Sequence, residues 1–245
     1  MRESCIALAL GMLALGCDSE SAQDAEVQAT DTSEVEAPRE CIAPEGLGRP
    51  RSIEQAVDLI NALPKPTSLS CFVESLDRPL ALAATDSQSS AQPAEGAENA
   101  RLFITEDPLI MSVLPDGPGS DKLEFAVDVG DGLSIKAELE FPIEAELPYA
   151  APYDEVRRAT GTSCGACHLR EQVWDTIDDV PIFASEALQH PTERDISPAF
   201  VEALAGNCDP GLTARRCEML TAVFAHGETV AEPLPELIKI CRLVE

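Results

Sequence analysis

The chain has 245 residues, 44 acidic side chains against 17 basic ones, a formal net charge of −27 and nine cysteines. So large an acidic excess repels polyanions and anionic headgroups, which excludes nucleic-acid binding and electrostatic docking on a membrane surface. Nine cysteines are unusual in a reducing cytoplasm and ordinary in an exported protein.

Arg2 opens a short apolar run, Cys5 to Gly16, that is too short to cross a bilayer as a helix and right for the apolar region of a signal peptide. The run ends in Leu13-Ala14-Leu15-Gly16-Cys17, which resembles a bacterial lipobox. That resemblance implies a removable signal over 1–16, lipidation of Cys17, and a lipid-anchored location in the cell envelope. Between Asp18 and Glu40, eight carboxylates stand against Arg39 alone with almost no apolar bulk, so 17–40 is expected to be the anchor and a disordered, self-repelling tether. Beyond it lie Cys41, Cys71, Cys164, Cys167, Cys208, Cys217 and Cys241; seven is odd, so at least one thiol stays unpaired in any scheme of intramolecular disulfides.

Ser52 with Gln55 forms a capping-box signal, Ile53, Val57, Ile60 and Leu63 recur at helical spacing, and Pro64 ends the run, which predicts a helix. The period then changes to two. Strands are expected over Leu69 to Leu76, Leu80 to Ala84, Arg101 to Thr105 and Leu109 to Leu114. Leu123, Phe125, Val127 and Val129 alternate with polar residues, Gly130-Asp131-Gly132 turns the chain, and Leu133, Ile135, Ala137, Leu139 and Phe141 return. That pattern predicts an antiparallel hairpin with one wet face. Residues 41–148 thus read as a β-rich domain with one covering helix. From 149 to 245 the pattern reads as mainly helical: Ser197, Pro198 and Gly206 bracket one helix, and Thr213 and Gly227 bracket another. The fold class expected is α+β. Cys208 and Cys217, nine apart, are expected to be joined by a disulfide.

Cys164-Gly165-Ala166-Cys167-His168 has the C-x-x-C-H arrangement used to attach c-type haem. Two thiols one turn apart can reach one porphyrin edge, and the adjacent imidazole is placed to bind iron. A Cys164–Cys167 disulfide and a zinc site including His168 are the competing readings. The apolar residues between Val173 and Leu204 could line a pocket or form an ordinary core; Trp174 in particular reads as core. The scattered carboxylates read as solvated surface.

On Cys164, Cys167 and His168 the C-terminal segment resembles a mono-haem c-type cytochrome domain. Pro66-Thr67-Ser68-Leu69-Ser70-Cys71, Ser90-Ala91-Gln92-Pro93, Gly161 to His168 and Arg216-Cys217-Glu218-Met219-Leu220 together resemble a family of myxobacterial lipoproteins, and that likeness implies no activity. The cytochrome resemblance implies one haem c held by Cys164 and Cys167 with His168 as proximal ligand. It also implies electron exchange with an envelope partner, a carrier's role more than a catalyst's. Met219 is the first choice for the distal iron ligand, with His226 and His190 as alternatives. The alternative function is a haem-free binding or structural lipoprotein stapled by disulfides.

Overall fold

Ser52 caps the first helix, Ile53–Ala62 (α1), its hydroxyl accepting from Gln55 N at 3.2 Å. Gln55 Oε1 accepts from Arg51 N, one residue beyond the N-cap amide that a closed capping box engages. Ile53, Ala56, Val57, Leu59 and Ile60 face the core, the stripe an amphipathic helix buries. The structure, a computed structural model, describes residues 38–189, 192–234 and 239–240. Contacts divide the chain into Met1–Val35, which lies outside the described residues together with Cys17, and Glu36–Glu245.

The strand expected over Leu69 to Leu76 is a helix, Leu69–Ser75 (α2), with Ser68 as N-cap accepting from Cys71 N. The hydroxyl cap and the burial of Leu69, Phe72 and Val73 at helical spacing override the β-favouring content of the segment. Leu80–Thr85 (β1), Arg101–Glu106 (β2), Leu109–Val113 (β3), Lys122–Gly130 (β4) and Leu133–Glu140 (β5) then follow as an antiparallel meander. The β4–β5 hairpin is the one the alternation predicts. Asp131 sits at φ 54 between two positive-φ glycines, the backbone sign that a tight hairpin turn demands.

The mainly helical cytochrome-like segment is overturned. After a short helix, Ala151–Val156 (α3), the chain forms Gln172–Ile177 (β6), Val180–Glu186 (β7) and Leu188–Gln189 (β8). Two helices, Pro198–Ala205 (α4) and Pro210–Phe224 (α5), precede Thr229–Ala231 (β9) and Lys239–Ile240 (β10). One eight-stranded sheet runs β6-β7-β5-β4-β3-β2-β1-β9, antiparallel except for the parallel β1–β9 pair, and β8 pairs with β10. β6 and β7 are joined through Asp178 and Asp179, both at positive φ, so of the apolar residues that read as pocket or core bulk, Val173 to Phe183 belong to a hairpin, while Phe200, Val201 and Leu204 lie on α4. A register shift between Val173 and Asp175 makes Trp174 the extra residue of a bulge on the sheet's end strand. Its side chain is 47% exposed, against the core position the sequence suggests.

Helix α5 starts earlier than its expected bracket. Asp209 is the N-cap, accepting from Gly211 N at 2.8 Å. Thr213, which carries the cap signal in the sequence, is a non-helical kink within it. Cys208–Cys217 forms across that kink, as the spacing suggests, and Cys41–Cys71 ties the first described residues to α2. The helices lie with the apolar residues of the sheet: Leu82, Ile104, Met111 and Leu139 join Ile60, Phe72, Val201 and Leu220 in one buried cluster.

Candidate functional site

Strand alternation that sends Leu102, Ile104, Met111 and Leu123 into the core turns Arg101, Phe103, Ser112 and Glu124 to the opposite face. There the sheet floors a cavity of about 420 Å³, continued by Lys136 and Glu138 of β5 and edged by Cys164, Cys167, His168, Leu188 and Leu234. That size lies in the range of small-molecule and cofactor clefts. The Arg101 guanidinium stands 4.8 Å from the Phe103 ring centroid, donates to Ser112 Oγ at 2.7 Å and pairs with Glu124. Arg101 Nε, Thr105 Oγ1 and Glu124 Oε1 are buried without a hydrogen-bond partner among the described residues, the kind of unsaturated polar lining that a bound group can complete.

The cysteine pair sits on the loop between α3 and β6. Gly161, at φ +75, reverses the chain, and Ser163 N is fixed by Val156 O at 2.8 Å. A 3-10 turn begins at Cys164, whose carbonyl accepts from Cys167 N at 3.1 Å and His168 N at 2.9 Å. One helical turn therefore brings both cysteines and the histidine to the cavity edge. Both thiols are free; Cys164 is half-buried and Cys167 exposed. Glu171 braces the loop, accepting from Thr162 N at 2.9 Å and from the Thr162 hydroxyl.

His168 Nδ1 lies 2.9 Å from Glu186 O. A carbonyl can only accept, so Nδ1 carries the proton and Nε2 keeps its lone pair. Burial, reinforced by Lys136, pulls the imidazole pKa down from its ordinary 6.5 to about 4, leaving the ring neutral at physiological pH. A neutral imidazole anchored through its other nitrogen is the form that ligates metals. Lys136 Nζ also reaches Glu186 O, at 3.1 Å, along with both oxygens of Ser134 and of Ser185. Burial lowers the Lys136 pKa to about 8 and raises that of the Cys164 thiol, where Glu124 adds to the effect. Cys164 is thus a thiol and not a standing thiolate.

The structure brings Cys164, Cys167 and His168 together at one cavity. It does not bring the distal candidates there. Met219 is buried on α5 beside Leu69 and Phe141, and His226 is buried 3.9 Å from Glu74 of α2, both on the helix-covered side. His190 lies outside the described residues. No three His, Cys, Asp or Glu residues among those described converge to hold a metal ion. Arg101, Glu124, Lys136 and Glu171 escape a reading of the sequence because they occupy the wet phase of strand alternation or a loop, where charge looks like solvated surface. No protein-family model, no curated protein and no solved structure matches the chain.

Proposed function

We propose that the protein is a cell-envelope lipoprotein, anchored through Cys17, that carries one covalently attached c-type haem for electron transfer. The observation that carries this reading is the cavity edge. Two unpaired thiols one turn apart and a neutral imidazole locked as its Nδ1–H tautomer border a cleft of cofactor size. Cys164 and Cys167 would hold the porphyrin edge as thioethers and His168 Nε2 would bind iron. Phe103, Ile110 and Leu188 supply apolar lining, while Arg101 and Lys136 supply the positive charge that carboxylate groups require. Bound there, the haem supplies a one-electron redox centre. The residues fit it although the fold around them is a sheet with helices on one side. They offer no described thioether or second imidazole in the cleft, so His168 is the one protein ligand to iron that the described residues provide.

Exporting the full chain in a host with c-type haem maturation tests this. A haem that survives denaturing electrophoresis, with the mass of one porphyrin on the protein, is expected; it should vanish in Cys164→Ala/Cys167→Ala. A colourless wild-type protein under those conditions would overturn the proposal. The anchor is tested separately: Cys17→Ser should move the protein from the membrane pellet to the soluble envelope fraction with its fold intact, because the acidic segment separates the anchor from the sheet. Unchanged fractionation would rule the lipid out.

A further inference from the structure

We infer that Glu171 is the positioning residue that keeps Cys164 and Cys167 as a dithiol, by filling the loop that carries them. The inference rests on the reading of these two cysteines as attachment thiols, yet it concerns the protein before any haem is attached.

Among the described residues four cysteines are paired, at sequence separations of 30 and 9, while the two that are only three apart are free. Thiols at C-x-x-C spacing are able to close as a disulfide, so the open pair points to the loop that carries it. Its interior is occupied by the Glu171 carboxylate. Oε1 accepts from Thr162 N, Oε2 accepts from the Thr162 hydroxyl, and that hydroxyl oxygen accepts in turn from Gly165 N at 3.3 Å. Both glycines of the loop lie against the same group. A Cβ on Gly161 would stand 1.9 Å from Oε1, and one on Gly165 would stand 2.7 Å from both carboxylate oxygens. The carboxylate is therefore a plug that spans the loop from its reversal to the spacer between the two cysteines. With it in place the 3-10 turn keeps Cys164 half-buried toward Glu124 and Lys136 and leaves Cys167 in solvent.

Oxidation would join the two Sγ atoms and pass two electrons and two protons to an oxidant. Oxidised glutathione is a suitable one, since it leaves as two molecules of the reduced thiol. Any strain that the disulfide imposes on the Glu171-filled loop opposes that exchange.

The full chain, made in a host without c-type haem maturation, is to be equilibrated in mixtures of reduced and oxidised glutathione. The Cys164–Cys167 peptide is then quantified by alkylation and mass spectrometry, with thermal unfolding followed in parallel. Glu171→Ala should favour the disulfide by about tenfold in the exchange constant, about 30 mV for a two-electron couple. Glu171→Gln, which keeps an acceptor for Thr162 N, should stay close to wild type. Gly165→Ala, which displaces the carboxylate without removing it, should move in the direction of Glu171→Ala and covers the case in which that variant does not fold. Folded variants with the wild-type exchange constant would overturn the role of Glu171 whether or not haem attaches. A colourless protein from a maturation-competent host, alongside the expected shift, would remove the proposed function and leave the role of Glu171 standing.

Discussion

Phe72→Ala is expected to destabilise the fold by about 3–5 kcal/mol, read as a lower urea midpoint at unchanged slope. Phe72 is 0% exposed on α2, and its ring centroid lies 6.3 Å from that of Phe141, tilted by 44°. Truncation removes a large apolar surface and the aromatic contact, and leaves a cavity between the helix layer and the sheet that close-packed neighbours fill only in part. Trp174→Ala is the control. It removes a larger ring from an exposed bulge on the end strand, so its cost should stay within about 0.5 kcal/mol, as for most surface changes. A large loss at Trp174, or none at Phe72, would mean that the core does not lie where the helices meet the sheet.

Acid should weaken the haem-free protein through His168. Burial holds this imidazole at about 4 against an ordinary 6.5, so between those values the unfolded chain takes up a proton that the folded chain refuses. The stability due to the neutral ring is complete above pH 6.5 and is lost as pH falls toward 4. The full effect is about 3 kcal/mol. Lys136, lowered by burial to about 8, acts in a separate window: the unfolded lysine stays protonated up to 10.5, so stability rises with pH from 8 upward. Urea titrations from pH 4 to 8 should show the His168 slope in the wild type and not in His168→Gln. Parallel slopes would mean that the ring is charged or solvated in the folded state.

Strict alternation from Leu123 to Phe141 made the β4–β5 hairpin legible, since only a half-buried antiparallel pair accommodates that pattern over so many residues. The same reasoning failed at Leu69 to Leu76. An apolar run of that length satisfies either period, and the Ser68 cap with its bond to Cys71 N decides it. It failed again beyond residue 149, where real helix brackets at Ser197 and Gly206 drew attention from the Asp178-Asp179 turn between β6 and β7. At the site, the thiols and the imidazole could be named because their chemistry is carried by adjacent residues. The cavity they face could not. Its floor comes from alternate positions of four strands, and a charged residue such as Arg101 or Lys136 looks the same in sequence whether it meets water or a cleft. Met219 was ranked first by its thioether and by the apolar helix face it flanks, and the placement of Met219 and His226 on the far side of the sheet is a property of topology.

The parallel pairing of β9 with β1 joins residues 80–82 to 229–231, and this sets the order of events in time. Pairing so remote in sequence adds a loop-closure cost that local contacts do not carry. β1 to β5 and the Cys164–His168 turn all precede Thr229 in the chain, so they can be in place before β9 docks on β1. Until then the outer edge of β1 offers its unpaired amides and carbonyls to any strand that passes. β9 therefore acts as a seal on the start of β1: its arrival covers Leu80–Leu82 and removes that stretch as a place where an incomplete fold can pair with its neighbours.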